Sequence, residues 1–123
     1  MPITSTDIQF RLSGGAANSD VNASLGGAKS SVQVTTATLH NLFDQVSGDE
    51  SAAGDTEYRC IYVHNAHATL SLQNAVVWIS TNTPSSDTTV AIALAGEGLN
   101  ATAETVANEN TAPVGESFTS PST

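Results

Sequence analysis

The sequence predicts an all-β protein: a single small sandwich or jelly roll of six to seven short strands joined by long Gly/Ser-rich loops. Three observations predict it. Apolar residues recur at period two along much of the chain, and no window sustains a capped 3.6-residue period. Serine and threonine make about a quarter of the residues, and with nine glycines they punctuate the apolar runs as turns do. At 123 residues the chain can bury one core and not two. One domain is therefore expected over 1–123, with an N-terminal arm at 1–6 and a polar tail at 119–123.

The first strand is expected in "DIQFRLSGG", where Ile8, Phe10 and Leu12 fall on one side and Asp7, Gln9 and Arg11 on the other. Residues 13–31 show no period. Two glycine pairs, Gly14-Gly15 and Gly26-Gly27, bracket them, which reads as a long surface loop. Loops of that length in compact domains commonly serve binding or assembly. Gly14, Gly15, Leu25, Gly26 and Gly27 are thus candidate interface residues, with Ile3 of the arm beside them.

Further along, "SVQVTTATL" alternates Val32 and Val34 and reads as a strand; "HNLFDQV" reads as a strand or a short helical turn carrying Leu42 and Phe43 inward. The polar run 47–55 reads as a turn. Residues 54–80, "GDTEYRCIYVHNAHATLSLQNAVVWIS", hold both tyrosines, the single tryptophan and the single cysteine. Tyr58, Cys60 and Tyr62 alternate with Arg59, Ile61 and Val63, so both faces carry bulk, as in a central strand. Leu70 and Leu72 alternate until a break at Gln73-Asn74, and Val76 to Ile79 resume the run. A turn at 81–88 and a face made by Val90, Ile92 and Leu94 follow, then weak late strands. On that fold Phe10, Tyr58, Tyr62, Trp78 and Ile92 are the expected core, since aromatics bury roughly 150–250 Å² each.

Charge excludes several partners. Twelve acids oppose Arg11, Lys29 and Arg59 for a net charge of −9. Three scattered cations make no basic stripe for nucleic acid, and they offer nothing to an anionic membrane surface. No run approaches the roughly 18 apolar residues of a membrane span. The start "MPITSTDIQF" has no basic and apolar leader, and one cysteine forms no internal disulfide, so synthesis and folding in a reducing cytosol are expected.

The chemistry-bearing residues form no recognisable constellation. His64 and His67 close a strand in "VHNAHA" with His40 upstream, and no cysteine or carboxylate stands beside them at zinc spacing. The acids of "GDESAAGDTE" lack the alternating calcium-loop ladder. Ser51 has the wrong glycine spacing for a nucleophile elbow, "GEGLNA" lacks the last glycine of a dinucleotide fingerprint, and Cys60 reads as an inert buried thiol. No catalytic residue, cofactor or metal is expected, and the protein does not read as an enzyme.

The segments "IQFRLSGGAANSD", "ASLGGAKSS", "LFDQVSGDESAAGDTEYRCIYVHNAHATLSLQNAVVWISTNTPS" and "TVANENTAPVG" resemble small virion structural proteins of tailed bacteriophages, over residues 3–118. The most distinctive part, "AGDTEYRCIYVHN" followed by "VVWISTNTPS", is similar to Ig-like sandwich modules in which one strand ends at an Asn turn and the next carries a Trp. The resemblance implies a capsid decoration or cement protein, made in the host cytoplasm and carried in the virion. It would bind the major capsid protein or other virion proteins as a homo-oligomer. A tail, baseplate or fibre component contacting the host surface is the alternative, and a carbohydrate-binding module a more distant one. No catalytic motif accompanies the resemblance.

Overall fold

The computed structural model describes residues 2–45, 47–80, 88–98 and 100–120. The expected turn at 81–88 lies almost wholly outside these residues, as does the end of the polar tail. Among the described residues there are two strands in one open sheet, β1 (Ile8–Leu12) and β2 (Ile61–Asn65), and no six- or seven-stranded sandwich. The strands run antiparallel with Ile8 opposite Asn65, Phe10 opposite Val63 and Leu12 opposite Ile61.

β1 forms where the period-two alternation is cleanest. Its outer edge is also partly paired, by an irregular run at 30–34. Leu12 N–H donates to Val32 O (3.0 Å), Ser30 N–H to Leu12 O (2.8 Å) and Val34 N–H to Phe10 O (2.8 Å). The strand expected at 31–39 shrinks to a single bridge, Arg11 to Gln33, because the backbone turns left-handed at Ala37 (φ 57°). Asn74 (φ 53°) interrupts 69–80 in the same way. Isolated bridges from Gly27 to Ala103 and from Ile92 to Thr119 replace the late strands.

Residues 47–55 are not the expected turn. They hold α1 (Gly48–Ala53), capped reciprocally: Glu50 N–H donates to Ser47 Oγ (3.2 Å) and Ser47 N–H to Glu50 Oε2 (2.6 Å). In the arm a single 3₁₀ turn (Ser5–Asp7) is tied by Thr4 N–H to Asp7 Oδ2 (2.9 Å).

The expected aromatic core is not what holds the chain. Trp78 is 71% exposed and Phe10 42%, while Tyr58, Tyr62 and Ile92 are half-buried. Tyr58 meets the Phe118 ring edge-on at 5.7 Å. Only Leu12 and Ala103 are buried apolar residues among those described; the other buried side chains are Ser13, Ser24 and Ser30. With so little hydrocarbon to bury, two sheets have nothing to close over.

Hydroxyls fill the centre instead. Ser13 Oγ and Ser24 Oγ both donate to Cys60 O, at 2.7 and 2.6 Å. In return Ser24 Oγ accepts from Ser13 N–H (2.9 Å) and Ser13 Oγ accepts from Gly26 N–H (3.0 Å). Each hydroxyl has one proton, so the 3.2 Å Ser13–Ser24 oxygen pair holds no third one. Cys60 N–H closes the hub on Ser24 O (2.8 Å). Ser30 Oγ donates to Asn18 O (2.5 Å) and accepts from Val32 N–H. The 13–31 segment is irregular and mostly exposed, and it reaches the centre at Ser13, Ser24, Gly26 and Ser30. Its glycines explain the fit: a Cβ on Gly26 (φ +106°) would lie 1.8 Å from Glu104 O, and one on Gly14 (φ +95°) 2.3 Å from Ala23 O.

Candidate functional site

The folded 13–31 segment builds a groove. Gly14, Gly15, Leu25, Gly26 and Gly27 line a cleft of about 450 Å³, with Val106 opposite. Five of the six candidate interface residues are therefore brought together, while Ile3 lies half-buried in the arm and is not part of the lining. Tyr62 of β2 fixes the cleft's walls. Its hydroxyl donates to Gly27 O (2.5 Å) and accepts from Ala103 N–H (2.9 Å). Gly27 N–H to Ala103 O (3.0 Å) and Val106 N–H to Leu25 O (3.0 Å) complete the seam.

A second place collects carboxylates. Asp44, Glu57 and Glu109 bring oxygens within 4.8 Å of one another, and Glu50, Asp55 and Glu57 do the same beside a cleft of about 360 Å³ at the end of α1. Glu57 belongs to both groups. Removal from water, then the neighbouring Glu109 and Asp44, push its carboxyl up to about 7, against the pull of Arg59. Oxygen-only donors suit a hard cation such as calcium. Part of the repulsion is relieved within the chain, by a guanidinium at Glu109 and an amide at Asp55. Asn110 Nδ2 donates to Asp55 Oδ1 (2.7 Å).

Arg59 is the counter-charge, and its side chain is fully buried. Nη2 donates to Glu109 Oε2 and to Asn22 Oδ1, Nε to Leu42 O and Nη1 to Tyr58 O, each at 3.0 Å. The guanidinium also lies 5.3 Å from the Phe43 ring centre. One side chain thus ties residues 22, 42–43, 58 and 109 together. The alternation places Arg59 on a strand face and carries no sign of these partners, which are distant in sequence.

A third acid group staples the late segments. Glu97 Oε1 accepts from Glu104 N–H (2.6 Å), Glu104 Oε1 from Val114 N–H (2.6 Å) and Glu116 Oε1 from Gly96 N–H (3.0 Å). Glu116 Oε2 is buried without a hydrogen-bond partner.

Several nucleophilic and basic side chains among the described residues are engaged within the chain. The Ser13 and Ser24 protons go to a carbonyl, not to a base. Burial pushes the Cys60 thiol up, away from thiolate. His64 Nδ1 accepts from Lys29 Nζ (2.5 Å), and desolvation followed by the Lys29 and Arg11 charges lowers its pKa. His67 Nδ1 accepts from Thr69 and Leu70 N–H, capping the turn after β2. Among the described residues no histidine belongs to a group of convergent metal-ligating side chains.

The exposed features are of another kind. Val76, Val77 and Trp78 form an exposed apolar run, and Phe10, Ile61 and Val63 are partly exposed on a sheet face that is covered at Leu12. No described helix is long and apolar enough to cross a membrane. No family model, curated protein or solved structure matches the chain.

Proposed function

We propose that the chain is a non-enzymatic structural subunit of a tailed-bacteriophage virion, decorating the head by binding the major capsid protein or other virion proteins as a homo-oligomer. The observation that carries this reading is surface. The chain exposes 8660 Å², whereas a folded monomer of 12.6 kDa exposes roughly 6,200 Å². The excess of about 2,500 Å² includes large apolar side chains, among them Leu39, Leu94, Val114, Val76 and Trp78. Such a chain has surface to bury against neighbours. Its charge of −9 keeps it soluble before assembly and directs contact to the apolar regions. The resemblance to phage virion proteins supplies the setting.

Electron cryo-microscopy of the intact particle tests this. The expected result is the protein at symmetry-related head positions in large copy number. A handful of copies at the tail would replace the head assignment with a tail or baseplate role, and absence from the particle would end the virion reading. Trp78 favours one further reading, glycan binding, because an exposed indole is a stacking platform. Its fluorescence would then shift on titration with host-surface oligosaccharide while the fold stays unchanged.

A further inference from the structure

The sheet has one largely paired edge and one bare one among the described residues. On β1, Phe10 O and both the N–H and C=O of Leu12 bond to the 30–34 run. On β2 the even-numbered residues face β1, as the Ala66 N–H to Asp7 O bond (2.7 Å) and the register require. The odd-numbered residues, Ile61, Val63 and Asn65, turn their N–H and C=O groups outward. Among the described residues nothing accepts from or donates to those groups. The side chains of these residues share a face with Phe10, and Ile61 (36%) and Val63 (41%) are partly exposed there, although Leu12 on the same face is buried. A bare edge flanked by apolar side chains is a template for another strand.

We infer that this edge is completed by β2 of a second copy, antiparallel, with Val63 on the two-fold axis. The inference rests on the assembly reading above and names the partner. Self-pairing in that register sets Ile61 opposite Asn65 of the second copy and Tyr62 opposite its His64. It also aligns Phe10, Val63, Val63 and Phe10 in one row across a four-stranded sheet, so each copy extends the other's apolar face. The charges permit it. Ile61–Asn65 contains no acid, although the chain carries twelve, so the edges meet without opposing carboxylates. The area permits it too: a stable interface takes about 800 Å² from each partner, roughly a third of the excess surface.

Two measurements on the full chain test the pairing. Light scattering coupled to size exclusion is expected to give twice the mass of one chain, and Val63→Lys to shift the dimer at least tenfold toward monomer by placing two ammonium groups side by side. Circular dichroism checks that the variant stays folded. If it does not, the second measurement decides alone: in a Cys60→Ser background, with dissolved oxygen as the oxidant, Val63→Cys forms a disulfide between copies far faster than Val76→Cys. A wild-type chain that is monomeric, a dimer that a folded Val63→Lys leaves intact, or cross-linking no faster at 63 than at 76 overturns the inference. Particle imaging separates this from the functional reading. A Val63-linked dimer absent from virions keeps the pairing and removes the function, and a virion protein monomeric in solution does the reverse.

Discussion

Removing the two central hydroxyls one at a time and then together gives a test with a built-in sign. Ser24→Ala deprives the buried Ser13 N–H of its acceptor, while Cys60 O keeps the proton of Ser13 Oγ. Ser13→Ala deprives Gly26 N–H of its acceptor, while Cys60 O keeps the proton of Ser24 Oγ. Each single change therefore orphans one buried amide, at a cost of about 1–3 kcal/mol. The double change orphans both amides and also Cys60 O, which neither single change does. The loss should thus exceed the sum of the singles by about 1 kcal/mol or more. Urea unfolding followed by far-ultraviolet circular dichroism measures all four proteins, at one fixed protein concentration because self-association would couple to stability. Singles costing under about 0.5 kcal/mol, or losses additive to within about 0.5 kcal/mol, would show that the hydroxyls do not share the carbonyl and would refute the account of the core.

The other predictions follow from the same geometry. Gly26→Ala should cost about 3 kcal/mol or more by thermal melting, since its methyl would enter Glu104 O at a backbone angle glycine favours, whereas Gly15→Ala, with nothing within 4 Å, pays only for its own angle at about 1 kcal/mol. Tyr62→Phe leaves Gly27 O and Ala103 N–H unpaired and should cost about 2–4 kcal/mol, read as a lower urea midpoint at unchanged slope. Glu57 binds its proton up to about pH 7 in the folded chain against 4.5 ordinarily, so the folded state holds more protons across that window. Stability should therefore fall as pH rises from 4.5 to 7 and level off above; Glu57→Gln should flatten the profile. Arg59→Met should destabilise by roughly 3 kcal/mol and steepen that same pH dependence, because Glu109 loses its partner and Glu57 its one nearby cation.

Sequence pattern located what local geometry controls. The alternation of Ile8, Phe10 and Leu12 became β1, part of the run from Tyr58 became β2, and the break at Gln73-Asn74 became a left-handed residue. The sandwich failed because alternation says which face a residue occupies and not whether another layer exists to cover it. Trp78 was assigned to a core by bulk alone, yet bulk is buried only where partners surround it, and Val76 beside it is 74% exposed. The helix at 48–53 was written in the Ser47–Glu50 spacing of a capping box, a signal masked by the polar, glycine-bounded composition. The serine hub could not be read at all. Its members stand 11, 36 and 47 residues apart, and serine is ordinarily a surface residue. Of the candidate interface, the glycine pairs were legible as conformational exceptions, but their convergence on one groove depends on Tyr62, which had been read as core filling.

A centre built from hydroxyls, amides and carbonyls has a thermal consequence. Melting it releases little hydrocarbon into water, so the heat-capacity increment should fall below the roughly 1.5–1.8 kcal/mol/K usual for 123 residues. The stability curve is then shallow, and chilling, which weakens oil-like cores, loosens this one less.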